Sequence, residues 1–235
     1  SLTNTFHIAL GIAEIIKEQD RNNYIVLGGP HVTFMYKEIL QNDKKARNLI
    51  DFICLGEAEI SFLKLVKILL SQIRTNNLLE TYDNELHNIK GIAFYGSNDH
   101  LNVNSESYKL DLEDLPLPAR FKLPQDYYYY TIANVIVNRG CPNQCSFCSR
   151  QNLFKKTKIR SISSILTELR DILSMQTYSH INFYDNININ NVFFKDFCNM
   201  FIEHELKIPW GCEIRVDTIE DEDAYLLREA GCQLI

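Results

Sequence analysis

The stretch Thr131-Ile-Ala-Asn-Val-Ile-Val-Asn-Arg-Gly-Cys-Pro-Asn-Gln-Cys-Ser-Phe-Cys-Ser149 decides the architecture. Its first part, Thr131 to Asn138, is rich in β-branched residues, as expected of a buried parallel strand. Arg139-Gly140 ends that run, and Cys141, Cys145 and Cys148 follow in one short loop. Three thiolates at spacings of four and three residues suit three corners of an iron-sulfur cube and leave one iron open to an outside ligand. The competing metal is zinc, whose structural sites take four Cys or His ligands, usually from two separated knuckles. No second knuckle is present. The next cysteine, Cys198, shares a helical face with Phe194, Phe197 and Phe201 and reads as core. Cys54, Cys212 and Cys232 lie in or beside strand-like runs and read as buried thiols. An odd total of seven cysteines, without a secretory segment, argues against a disulfide framework.

Outward from this stretch, strands and helices alternate. Ile162, Ile165, Leu166, Leu169, Ile172 and Leu173 recur at helical spacing. A strand at Ile181–Tyr184, a helix over about 191–205, a strand at Trp210–Val216, a helix over about 221–230 and a strand opening at Gln233 follow. Thr218 to Asp221 reads as a capping box and Gly231 as a stop. Such alternation predicts a parallel sheet with right-handed crossovers, which presents its ligands at the carboxyl ends of the strands.

The run Cys-x-x-x-Cys-x-aromatic-Cys resembles the signature of the radical S-adenosylmethionine (radical SAM) enzymes. The resemblance implies that Cys141, Cys145 and Cys148 hold a [4Fe-4S] cluster, that S-adenosylmethionine chelates the remaining iron, and that Phe147 lies near its adenine. It also implies that Asp185, in Tyr184-Asp-Asn186, faces the methionyl amine; Asn186 stands where a second acid is common. Glu213 and Arg215 alternate on one strand and so face one side. Arg215 is expected to clamp the cofactor's carboxylate, with a structural ion pair as the competing reading. Arg160-Ser161 also resembles the family pattern; Ser161 reads as a helix cap and Arg160 as a surface charge.

The first part of the chain is a different α/β module: helix (about 5–19), strand (Tyr24–Leu27), helix (about 32–41), strand (Asp51–Leu55), helix (about 58–73). Phe62, Leu65, Val66, Leu69 and Ile73 form a core-facing stripe on the last helix. Both strands end in glycine-marked turns, Gly28-Gly29-Pro-His31 and Gly56-Glu57-Ala-Glu59, where backbone amides can approach a polar group. With Ser1 and Thr3, these turns resemble the second half of the cobalamin-binding domain that precedes the radical core in one large radical SAM class. The resemblance makes Ser1, Thr3, Gly28, Gly29, Gly56 and Glu57 cobalamin contacts. His31, opening a helix, reads as solvent-facing or capping rather than as a cobalt ligand.

Residues 76–125 read as a polar segment, a hairpin (Gly91–Tyr95 with Leu101–Val103) and a proline-marked linker, Asp111–Arg120. Tyr127 to Tyr130 are expected to line the approach to the first strand of the second module. The predicted whole is α/β: residues 1–75 as the C-terminal half of a Rossmann-like cobalamin-binding domain, and residues 126–235 as the first half of a (β/α) radical SAM barrel. On this reading both ends are cut.

Composition narrows the partners. A net charge of -6 and a pI near 5.5 leave no basic footprint for nucleic acid, and Lys155-Lys-Thr-Lys158 is too short to supply one. No run is long enough to span a bilayer. Free thiols and an oxygen-sensitive cluster imply a reducing cytoplasm. The expected activity is methyl transfer to an unactivated carbon of a small molecule, with a flavodoxin or ferredoxin as electron donor. The alternatives are a radical cyclase, mutase or oxidoreductase and, from another class, a non-catalytic iron-sulfur or zinc module.

Overall fold

The computed structural model describes residues 2–75, 80–96, 99–123, 131–154, 156–187 and 189–235. The expectations for Ser1, Lys155 and Tyr127 to Tyr130 fall outside them. The chain divides into two compact units, Ser1–Leu110 and Asp111–Ile235.

In the first unit, α1 (Phe6–Gln19), β1 (Val26–Leu27), α2 (Pro30–Asn42), α3 (Lys44–Leu49), β2 (Phe52–Cys54), α4 (Glu59–Thr75), α5 (Glu80–His87), β3 (Ile92–Tyr95) and β4 (Leu101–Asn104) follow one another. The sheet order is β1-β2-β3-β4. β1 and β2 are parallel, while β3 and β4 add antiparallel strands. The hairpin expected within 76–125 therefore continues the first unit's sheet. The stretch expected to be polar contains α5, whose Leu86 is buried in one core with Leu65, Leu69, Phe52 and Phe94. A second core on the other side of the sheet gathers Phe6, Leu10, Val32, Ile39, Leu40 and Ile53. β1 is held in place by Asp51, which accepts from the Ile25 amide at 2.7 Å and pairs with Lys17 at 2.8 Å.

The second unit runs β5 (Ile132–Val135), β6 (Asn138–Arg139), α6 (Arg150–Leu153), β7 (Lys158–Ile159), α7 (Ile162–Ser174), β8 (His180–Asn186), α8 (Asn191–Glu203), β9 (Trp210–Glu213), α9 (Asp221–Glu229) and β10 (Cys232–Leu234). Its main sheet has the order β10-β9-β8-β5, and every pair in it is parallel. Each strand neighbours the one before it along the chain, with a helix in each crossover, so the sheet winds in one direction like an arc of a β/α barrel. The core lies on one face of the strands, where Ala133, Val135, Ile181, Phe183 and Trp210 join Ile165, Leu169, Phe194, Phe197 and Phe201, while Ile132, Asn134 and Tyr184 on the other face are exposed. Trp210 donates its indole N–H to the Ala230 carbonyl at 2.8 Å, which satisfies the polar atom of the largest buried side chain.

Two local expectations are corrected. The predicted strand Thr131–Asn138 is two pieces: β5 stays in the main sheet, and β6 peels away to pair antiparallel with β7. Gly140 follows at φ +83°, where a Cβ would stand 2.9 Å from the Lys156 carbonyl oxygen, so only glycine fits the turn into the cysteine loop. The cap of α9 is Glu220 with Asp223, not Thr218; Thr218 instead bonds back to Arg215.

A cysteine loop between strand ends

The loop from Cys141 to Ser149 leaves the main sheet beyond the carboxyl end of β5 and returns as α6. Cys141 and Cys145 are half-buried and Cys148 is exposed. Among the described residues, no group of three His, Cys, Asp or Glu side chains stands ready-made as a metal cage. The donor chemistry nonetheless suits a thiolate-held cluster. Three thiols lie on one loop, and nitrogens already point at two of them: Arg215 Nη1 lies 3.0 Å from Cys145 Sγ and Asn143 Nδ2 lies 3.4 Å from Cys141 Sγ. N–H groups aimed at sulfur stabilise thiolate charge and tune cluster potential. The Cys148 amide donates to the Cys145 carbonyl at 3.0 Å, closing the loop's last turn.

The expected S-adenosylmethionine residues come together in part. Asp185, on β8, turns inward: its Oδ2 accepts from the Val137 amide at 3.0 Å and from the Asn138 amide at 3.4 Å. Asn138 Nδ2 in turn donates to the Asn186 carbonyl at 3.2 Å. Asp185 thus fastens the point at which the chain departs for the cysteine loop. Burial, its largest influence, pushes the Asp185 carboxyl above the usual carboxylate range against the opposing pull of those amides and of Arg150. Glu213 ends β9. Arg215 lies beyond the strand, so the expected alternation does not carry it: it pairs with Asp217 through both Nε and Nη2 and reaches Cys145 with Nη1. Phe147 is 90% exposed at the tip of the loop, with its ring face available.

Arg150 joins these groups. Its Nη2 donates to the Tyr184 carbonyl at 2.8 Å and lies 3.6 Å from Asp185 and 3.8 Å from Glu213. The residue directly after the cysteine loop is thereby tied to the ends of β8 and β9.

Below the loop lies a buried ionic triad. Glu168 of α7 is 2% exposed and is gripped by Arg120 at 2.6 Å on one oxygen and by Arg160 on the other. Arg120 also donates to the Asn134 carbonyl at 2.7 Å, and Arg160 to the Ile136 carbonyl at 2.9 Å. Arg160 is therefore no surface charge; it fixes the last residues of the first strand against α7. Ser161 caps α7 as expected, accepting from the Ser164 amide.

In the first unit the two glycine turns are joined by Thr33. Its hydroxyl donates to the Gly29 carbonyl at 2.8 Å and accepts from the Gly56 amide at 3.0 Å. Gly29 has φ +101° and is followed by Pro30 in the first turn of α2. Beside Gly56 a Cβ would meet nothing within 4 Å, so the turn borders open space. Gly28 lies against the Cys54 carbonyl, and Glu57 follows Gly56 in the second turn. Thr3 sits in an exposed turn, its Oγ1 3.1 Å from His31 Nδ1, while the His31 ring rests on Phe6 with centroids 4.7 Å apart. One nitrogen of His31 is thus engaged at the helix start, and partial burial lowers its pKa.

No protein-family model matches the sequence. An uncharacterized methyltransferase of Pyrococcus horikoshii is 27% identical over 238 residues, covering 99% of this chain and 49% of the relative. An anaerobic magnesium-protoporphyrin IX monomethyl ester cyclase of Rubrivivax gelatinosus is 28% identical, covering 98% and 41%. Among solved structures, the cobalamin-dependent S-adenosylmethionine radical enzyme OxsB, bound to aqua-cobalamin and S-adenosylmethionine, superposes with TM-score 0.70 at 18% identity, over 96% of this chain and 32% of that one. The radical S-adenosylmethionine methyltransferase TsrM of Kitasatospora setae superposes with TM-score 0.70 at 17% identity, over 96% and 44%. The chain has the fold of the cobalamin-dependent radical SAM enzymes. It spans less than half the length of these curated relatives.

Within this radical SAM fold, sequence reasoning missed Arg150, Thr33 and the pair Arg120–Glu168. A signal existed for Glu168, which falls in the apolar stripe of α7 between Ile165 and Leu169, where a charge must be paired. For Arg150 the only hint was its place one residue after the cysteine loop's last serine.

Proposed function

We propose that the chain is part of a cobalamin-type radical SAM enzyme that transfers a methyl group to an unactivated carbon of a small molecule. Residues 1–75 form the C-terminal half of its Rossmann-like cobalamin domain, 76–125 the hairpin and linker, and 126–235 the first half of the radical SAM barrel. The observation that carries the reading is the three-thiol loop at the carboxyl end of the first parallel strand, with Arg215 and Asn143 directed at its sulfurs. When bound, the [4Fe-4S] cluster supplies the electron that cleaves S-adenosylmethionine, and the corrin supplies a methyl carrier.

The chain's own residues orient and shield. Cys141, Cys145 and Cys148 ligate the cluster. Asp185 holds the strand end that launches their loop, Glu213 adds negative charge beside it for the methionyl amine, and Phe147 offers a face to the adenine. Ser1, Thr3, Gly28, Gly29, Gly56 and Glu57 line the corrin's nucleotide tail, with Thr33 keeping the two glycine turns in register. A flavodoxin or ferredoxin delivers electrons in a reducing cytoplasm. Among the described residues no helix is long and apolar enough to cross a membrane.

A radical cyclase is the second reading, favoured by the cyclases that match over 98% of the chain. Product analysis separates the two. Anaerobically reconstituted protein, given S-adenosylmethionine, hydroxocobalamin, dithionite and a small-molecule extract, is expected to yield S-adenosylhomocysteine and 5'-deoxyadenosine together. 5'-Deoxyadenosine alone supports the cyclase, and neither product removes both readings.

A further inference from the structure

From Arg139 to Arg160 the chain places Arg139, Arg150, Lys155, Lys156, Lys158 and Arg160 with no aspartate or glutamate among them, although the whole chain holds 30 acidic residues against 24 basic ones. Two of these cations serve the fold: Arg160 grips Glu168, and Arg150 ties the ends of β8 and β9. Arg139 and Lys158 are directly opposed on the antiparallel ribbon of β6 and β7, so their side chains share a face. Like charges so opposed weaken a strand pair, a cost that the fold alone does not require. Lys156, two residues before Lys158, is exposed. The backbone of Lys156 and Thr157 packs on Gly140, where a Cβ would stand 2.9 Å from the Lys156 carbonyl oxygen and 3.1 Å from Thr157 Cα. Gly140 leads directly into Cys141, so the basic ribbon is rooted at the first cysteine. The acids at the neighbouring strand ends, Asp185, Glu213 and Asp217, are held by Arg150 and Arg215.

We propose that the β6–β7 ribbon, through Arg139, Lys156 and Lys158, is the docking surface for an acidic one-electron carrier protein of the flavodoxin class. Charge complementarity selects this occupant: a chain of net charge -6 repels an acidic carrier except where a local positive field overrides that charge. Screening over about 8 Å at physiological ionic strength keeps the field local, so the carrier is oriented onto the ribbon and not merely drawn to the protein. A carrier seated there lies against the backbone that enters Cys141, which leaves the electron little protein to cross. In the transfer the anionic flavin hydroquinone becomes the neutral semiquinone and one electron enters the cluster; no proton or leaving group moves. The assignment rests on the radical SAM reading, whose cluster requires an external electron.

The test pairs binding with electron transfer on the cluster-loaded protein: anaerobic calorimetric titration with oxidised flavodoxin, and stopped-flow reduction of the cluster by flavodoxin hydroquinone and by photoreduced 5-deazaflavin, a small neutral reductant. The double variant Lys156→Glu with Lys158→Glu is expected to weaken flavodoxin binding and slow reduction by its hydroquinone about tenfold or more at low salt, and to differ little from the wild type in about 1 M salt. Reduction by 5-deazaflavin is expected to stay within about twofold. Lys158→Glu faces Arg139 with an opposite charge, so the ribbon keeps its pairing, and iron content and urea midpoint within error of the wild type show that the variant is folded. Lys44→Glu with Lys67→Glu makes the same change of net charge on exposed residues of the first unit and is expected to leave flavodoxin binding within about twofold. Equal losses in the two double variants, an unchanged ribbon variant, or a wild type that 5-deazaflavin reduces but flavodoxin does not bind overturns the docking surface and leaves the enzyme reading intact. A wild type that holds no cluster reducible by 5-deazaflavin overturns the enzyme reading and this assignment with it.

Discussion

At the residue scale, burial sets Cys54 and Cys198 apart from Cys148. Cys54 and Cys198 are buried, and desolvation raises their thiols to about 11 and about 12. Cys148 stands exposed on its loop. Because only the thiolate attacks an alkylating agent, iodoacetamide at about pH 8 is expected to modify the exposed Cys148 in the metal-free native protein and to leave Cys54 and Cys198 unlabelled until denaturant is added, as read by peptide mass spectrometry. Asp185 makes a second prediction at this scale. Its pKa is raised in the folded state from 3.8, so the native protein holds this proton more tightly than the unfolded chain. Stability from this group is present below the ordinary carboxylate range and is lost as pH climbs through the raised value. Asp185→Asn, which keeps a carbonyl oxygen for the Val137 and Asn138 amides, is expected to lose less stability than the wild type across that window, checked by urea unfolding at stepped pH.

At the scale of elements, the Arg120–Glu168–Arg160 triad shows what a buried ionic contact is for. Removing one partner strands the others, so Glu168→Ala is expected to cost about 3–5 kcal/mol in chemical unfolding. Replacing all three by apolar residues of similar size, Arg120→Met, Glu168→Leu and Arg160→Met together, is expected to recover most of that stability. It is also expected to loosen the end of the first strand, seen as faster amide exchange at Val137 and Asn138, because the two arginines hold the carbonyls of Asn134 and Ile136. Elements were legible in the sequence where apolar spacing is regular: α7, α8, β8 and the hairpin β3–β4 lie where periodicity places them. They were not legible where tertiary contacts decide. The break between β5 and β6 depends on Asp185, forty-seven or more residues away, capturing two amides. Helix α5 lies in a polar stretch and owes its place to Leu86 entering a core built by other segments. The early end of β9 moved Arg215 off its expected face. The cysteine loop itself needed no such help, since its spacing is local and its position after a β-branched run states its place in the fold.

At the scale of the whole molecule, two α/β units each carry their own core and their own candidate cofactor turns. The proposed corrin contacts lie in the first and the proposed cluster ligands in the second, so the two cofactors are expected to be separable by mutation. Gly29→Val forces a β-branched residue to φ +101° at the start of α2. It is expected to abolish retention of hydroxocobalamin through desalting, read by corrin absorbance, while iron and sulfide content stay within error of the wild type. Parallel loss of iron would show that the two units do not hold their cofactors separately.

The central claim is that Cys141, Cys145 and Cys148 hold a cluster with one iron left for S-adenosylmethionine. The most direct measurement is electron paramagnetic resonance on the dithionite-reduced protein after anaerobic loading with iron and sulfide, with metal analysis of the same sample. Expected are about four irons and four sulfides per chain and a [4Fe-4S] signal whose g-values shift when S-adenosylmethionine is added. A single zinc held by four protein donors, or a cluster signal indifferent to S-adenosylmethionine, contradicts the account.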